Sequence, residues 1–108
     1  MTEPLEIDVD ELASRLGSGA LVIDVREADE YGEGHVPGAV LVPLSELQQR
    51  VDDIPGDQPV LVICKSGGRS MRACEFLAPL GRDVTNVAGG TMAWINSGRD
   101  VVTGMERG

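Results

Sequence analysis

The stretch best suited to chemistry is Val60-Leu-Val-Ile-Cys64-Lys65-Ser66-Gly67-Gly68-Arg69-Ser70-Met-Arg72-Ala. An apolar run ends at Cys64. A six-residue loop, Cys64 to Arg69, follows, and the pattern predicts a helix from near Ser70. Gly67 and Gly68 permit positive φ and close backbone approach. Successive amides can then turn inward as an anion-binding nest around the sulfur. The helix behind them adds the positive end of its dipole. Lys65 and Arg69 add charge, with Arg72 one turn further on. All of this favours thiolate over thiol, so the Cys64 pKa is expected below the free value of about 8.5. The plain alternative is a small buried hydrophobe at a strand end, common for free cysteine. The glycine pair and the two cations favour the reactive reading.

The elements that must hold this loop are legible as short apolar runs. Ala20–Val25, Ala39–Val42 and Pro59–Ile63 lack strict alternation, as do strands covered on both faces. Asp83–Val87 is a fourth candidate strand and Leu5–Ile7 a weak fifth. Between them lie helical stretches. Ile7–Leu16 carries Asp8 and Glu11 at capping-box spacing, with Leu12 and Leu16 on one face and Gly17 and Gly19 as stops. Leu44–Val51 follows Pro43. Arg69–Ala78 has Ala73, Phe76, Leu77 and Leu80 at helical spacing, and Thr91–Ile95 is short. Strands alternating with helices predict a three-layer α/β fold, about five mostly parallel strands with helices on both faces. In such sheets, sites sit at the carboxyl ends of strands, where Cys64 falls.

The chain has 108 residues, the size of one domain spanning 1–108 with its core over about 7–101. Its formal net charge of −9 argues against a broad nucleic-acid or anionic-membrane surface. No apolar run approaches the ~20 residues a membrane helix needs. Met1 to Glu6 lacks the basic start and apolar stretch of a secretory signal, so a cytoplasmic protein is expected. Two cysteines and one histidine supply neither a disulfide framework nor a zinc site, and no cofactor or metal is expected. Nothing signals an oligomer, so a monomer is expected.

These residues resemble the rhodanese family of sulfurtransferases over about Ile7 to Val101. Asp24-Val-Arg26-Glu27 is similar to the motif after the second strand. Glu30-Tyr31 and Gly34-His35-Val-Pro-Gly-Ala39 are similar to the segment leading into the next strand. Cys64 to Ser70 resembles the active-site loop, and Val87-Ala-Gly-Gly-Thr-Met-Ala-Trp94 with Gly98 the C-terminal signature. The length suits one module. The resemblance implies that Cys64 takes sulfane sulfur from a small-molecule donor such as thiosulfate, becomes a persulfide, and passes the sulfur to cyanide, a small thiol or a protein thiol. The backbone amides of residues 65 to 70 would hold the persulfide's charge. It also implies two rival readings. One is a non-catalytic binding or regulatory module, in which the cysteine is often missing. The other is a phosphatase or arsenate reductase, whose loops resemble Cys-x5-Arg where this chain has Cys-x4-Arg.

Lys65 and Arg69 are candidates for orienting an anionic donor, against a plain role as solvated cations. Asp24 reads as a structural partner. Arg26 stands open between bracing the neighbouring loops and meeting substrate at the entrance. His35 reads as a structural hydrogen-bonding group in a turn-rich stretch. Cys74 reads as a core-facing helix residue rather than a resolving thiol. Trp94 and the pair Gly89-Gly90 suit packing and a tight turn, and the acidic run Glu27–Glu33 a solvated face.

Overall fold

Residues 5–108 are described in a computed structural model. Residues 1–4, part of the segment read against a secretory leader, lie outside the described residues. Five strands form one sheet: β1 (Leu5–Ile7), β2 (Leu21–Asp24), β3 (Val40–Leu41), β4 (Pro59–Ile63) and β5 (Asp83–Val87). Their order is β1-β5-β4-β2-β3, and every pairing is parallel. β4 therefore lies at the centre, flanked by β5 and β2, and delivers Cys64 to the middle of the carboxyl edge.

The lack of alternation in β4 has its cause in the two layers that cover it. Val60, Val62 and Cys64 face one core, with Ala73, Cys74 and Leu77 of helix α3 (Gly68–Leu77). Leu61 and Ile63 face the other, with Leu12 of α1 (Val9–Gly17), Tyr31 of α2 (Ala28–Glu33) and Trp94 of α4 (Gly90–Asn96). Successive side chains on a strand point to opposite faces, and both faces are buried here.

Several boundaries differ from the sequence reading. Ile7 ends β1, and α1 starts at Val9 because extended Asp8 caps it, accepting from the Glu11 amide at 2.9 Å. Helix α3 begins at Gly68, two residues before Ser70, because Gly67 takes the left-handed cap conformation with φ +108°. Its buried face is Ser70, Ala73, Cys74 and Leu77, while Phe76 and Leu80 are exposed. The stretch Leu44–Gln49 is a 3-10 helix with Leu47 its one buried residue, too narrow a face to hold a longer α-helix. The acidic run 27–33 folds as α2, whose Tyr31 is buried.

His35 is fully buried. Its ring stacks on Tyr31 at 3.6 Å, and its two nitrogens lie 2.8 Å from the Tyr31 carbonyl and 2.7 Å from the Glu106 carbonyl. With the His35–Val102 bridge, it ties the C-terminal segment to the turn before β3. Trp94 is buried and donates to the Asp100 carbonyl at 2.8 Å. Among the described residues, no helix is long and apolar enough to cross a membrane.

Candidate active site

Cys64 is the residue after β4, and only 1% of its surface is exposed. The Gly67 amide donates to its sulfur at 3.1 Å and the Ser70 hydroxyl lies 3.3 Å away. Burial pushes the thiol pKa up. Hydrogen bonds from the Ser70 hydroxyl and from the amides of Ser70, Gly67 and Ser66 outweigh it, and hold the thiol below its ordinary value.

Why these amides face inward follows from what the carbonyls do. The Cys64 carbonyl accepts from the Thr91 amide at 2.8 Å and from the Thr91 hydroxyl at 3.0 Å. The Lys65 carbonyl accepts from the Met92 amide at 2.9 Å. In a planar trans peptide, C=O and N–H point in opposite directions. Anchoring the Lys65 carbonyl on α4 therefore turns the Ser66 amide toward the sulfur. The contact requires Gly90: with φ +58°, a Cβ there would lie 2.5 Å from the Cys64 oxygen and 2.6 Å from the Lys65 oxygen. Gly89-Gly90 thus turns the chain off β5 and lets α4 dock on the loop.

The two cations of the loop behave differently. Arg69 makes a two-pronged ion pair with Glu30 of α2, at 2.8 and 2.7 Å. That pairing draws the Glu30 carboxyl down to about 2, chiefly through the hydrogen bond from Arg69, and raises the Arg69 pKa. Glu30 also accepts from the Glu27 amide at 3.1 Å, which fixes the first turn of α2. Lys65 is exposed and lines a cleft of about 340 Å³ with Arg26, Glu30, Glu33, Gly34, Thr91, Met92 and Ile95. Arg26 borders this cleft, yet its guanidinium is braced from behind. It donates to both oxygens of buried Asp24 at 2.8 to 3.1 Å and to the Gly34 carbonyl at 2.9 Å. Gly68 starts α3 beside Arg69, so the loop is held at Arg69 by α2 and at the Cys64 and Lys65 carbonyls by α4.

Cys74 is fully buried in the same core as Cys64, and burial pushes its thiol up to about 12. Sequence reading missed Glu30, taken as solvated, as well as Thr91 and Asn86. Asn86 sits on β5 beside β4, buried, with its side-chain oxygen 2.5 Å from the Ser70 hydroxyl. An amide side chain in the middle of a candidate strand, between Thr85 and Val87, was the available signal. Among the described residues, no cluster of three or more His, Cys, Asp or Glu is placed to hold a metal ion.

Residues 8–97 match the family described as the rhodanese-like domain. A sulfurtransferase of Allochromatium vinosum is 36% identical over 100 residues, covering 90% of this chain and 94% of that protein. The crystal structure of a rhodanese-related protein from Thermoplasma volcanium superposes with a TM-score of 0.87 at 34% identity, over 94% of this chain and 99% of that one. A thiosulfate sulfurtransferase from Pseudomonas aeruginosa matches with a TM-score of 0.85 at 27% identity, over 96% of this chain and 21% of that one.

Proposed function

Because the chain belongs to the rhodanese-like domain family, we propose that it is a sulfurtransferase that carries sulfane sulfur on Cys64. The observation that supports this most directly is a buried sulfur receiving hydrogen bonds from the Gly67 amide and the Ser70 hydroxyl, with its thiol held below the ordinary value. Preorganised donors of this kind stabilise a sulfur anion without reorganising during reaction.

In this reading the Cys64 thiolate attacks the outer sulfur of thiosulfate. The S–S bond of the donor breaks, sulfite leaves with the electron pair, and a Cys64 persulfide remains. An acceptor nucleophile, cyanide or a small or protein thiol, then attacks the outer sulfur and returns the Cys64 thiolate. Two displacements through a covalent intermediate give ping-pong kinetics. Lys65 meets the anionic donor at the cleft. Arg69 holds the loop against Glu30, and Arg26 with Asp24 braces the cleft's wall. The protein works as a monomer in a reducing cytoplasm, with no nucleic-acid or membrane partner.

Mass spectrometry tests the reading. Thiosulfate should add the mass of one sulfur atom, cyanide should remove it, and Cys64→Ala should gain nothing. No gain at Cys64 from thiosulfate or other sulfane donors would overturn it. A tight protein partner retained by Cys64→Ala, with no turnover in the wild type, would favour a binding module instead.

A further inference from the structure

The Ser70 hydroxyl has one proton and two acceptors within reach. Its oxygen lies 3.3 Å from the Cys64 sulfur and 2.5 Å from Asn86 Oδ1, and all three residues are buried. A serine hydroxyl donates once. It cannot serve both partners at the same time.

The orientation of Asn86 is fixed from its other side. Its amide nitrogen donates to Glu6 Oε2 at 2.9 Å and lies 3.3 Å from the Gly67 carbonyl. Both neighbours are acceptors, so only the NH2 group fits there and Oδ1 must face Ser70. Strand register holds this arrangement, since Glu6 of β1 pairs directly with Asn86 of β5.

We propose that Asn86 is a positioning residue that tempers Cys64 by competing with its sulfur for the Ser70 proton. In the thiol state the Cys64 S–H donates to Ser70 Oγ, and Ser70 donates to Asn86. When the thiol proton leaves to solvent, the Ser70 hydroxyl rotates to donate to the thiolate, and its bond to Asn86 breaks. Part of the help Ser70 gives the thiolate is thus spent in breaking that bond. The thiolate stays more basic than the loop alone would make it, and a more basic thiolate is the stronger nucleophile. The proposal rests on the reading of Cys64 as the nucleophile.

The charged groups around this chain are Lys65 of the loop, Arg69 of α3 with Glu30 of α2, the Asp24–Arg26 pair after β2, and Glu6 of β1. The principal variants leave all of them in place, so a shift reads the hydroxyl.

The test is the pH dependence of Cys64 alkylation by iodoacetamide, read peptide by peptide to separate it from Cys74. Asn86→Leu should lower the midpoint by about one pH unit and raise the rate below it roughly threefold, the larger thiolate fraction being partly offset by the weaker nucleophilicity of a less basic thiolate. In a Ser70→Ala background the same substitution should lower it far less. Loss of the Asn86–Gly67 contact acts in both backgrounds and cancels in the double-mutant cycle. An equal shift in both backgrounds, or a rise, overturns the proposal. Should Asn86→Leu fail to fold, Asn86→Asp with Glu6→Gln, measured against Glu6→Gln alone, gives the opposite sign. A carboxylate acceptor grips the Ser70 proton harder, so the midpoint should rise more with Ser70 present than in a Ser70→Ala background, where only the added charge acts, and an equal rise in both backgrounds or no rise overturns the proposal. Alkylation needs no sulfur donor. Coupling without sulfur loading would therefore defeat the sulfurtransferase reading alone, and sulfur loading without coupling the Asn86 proposal alone.

Discussion

Cys64 and Cys74 belong to one apolar cluster, yet their thiols move in opposite directions because donors reach only one of them. Each shift makes stability depend on pH. Cys64 has a lowered native pKa, so its contribution is full above the unfolded value of 9.0 and fades as pH falls through the native value. Cys74 is raised from 9.0 to about 12, so its buried neutral thiol stabilises below about pH 9 and that contribution is lost as pH climbs toward 12. Denaturant titrations should therefore find stability falling between about pH 9 and 12. Cys74→Ala should flatten that fall, at a cost of about 1 kcal/mol or more near neutrality for the lost packing. An unchanged alkaline slope in Cys74→Ala would remove buried Cys74 as its source. The raised Tyr31 hydroxyl, chiefly through burial, leaves a smaller slope of the same sign. The lowered thiol of Cys64 was legible because its cause is local: two glycines and a helix start within six residues. The sequence reading also credited Lys65 and Arg69. The leading causes that lower the thiol are hydrogen bonds, while Arg69, engaged by Glu30, still interacts with the sulfur through its charge.

Elements meet at the loop through contacts distant in sequence, and that distance explains what sequence alone left out. The parallel sheet and its two covered faces follow from apolar runs alternating with helices, and β4 and β5 appear with the bounds their runs predicted, whereas the strand order shows only in the fold. The partnership of Glu30 with Arg69 spans 39 residues, and the grip of Thr91 on the Cys64 carbonyl spans 27. No spacing rule reaches that far. Glu30 lay in an acidic run whose average behaviour is solvation, whereas its side chain is 28% exposed and tied to α3. Its native pKa of about 2 against 4.5 sets a sign: the contribution is full above about pH 5 and lost as pH falls toward 2. The pair is partly open to solvent, Arg69 being 36% exposed, so screening reduces its worth to about 1 kcal/mol or less. Glu30→Gln should therefore lower the urea midpoint at neutral pH and match the wild type near pH 2. Equal deficits at both pH values would assign the effect to packing. Gly90→Ala tests the opposite wall. A Cβ 2.5 Å from the Cys64 oxygen, at φ +58°, forces α4 off the loop. It should cost more than about 2 kcal/mol and slow sulfur loading of Cys64. Full sulfur loading in a stable Gly90→Ala protein would mean that α4 does not orient the amides.

For the whole molecule, the decisive quantity is charge. A net −9 surrounds a site proposed to take an anion, so the long-range field opposes the donor that the local amides and Lys65 attract. Arg26 and Arg69 do little to offset it at a distance, because each is paired with a carboxylate. Surface fields are screened over about 8 to 10 Å at physiological salt, whereas hydrogen bonds at the buried sulfur are screened far less. The two effects therefore separate experimentally. Raising ionic strength from about 0.01 to 0.15 M should increase kcat/KM for thiosulfate severalfold, because the opposing field collapses first. A neutral alkylating probe of Cys64 should show little change over the same range, since it feels only the local donors. Lys65→Ala should lower kcat/KM for thiosulfate and steepen its rise with salt, since the remaining cations described at the cleft and loop, Arg26 and Arg69, are each paired with a carboxylate. A thiosulfate rate that falls with salt would reverse the assignment. The local positive field of the loop would then dominate at long range, and the acidic surface would have no part in donor selection.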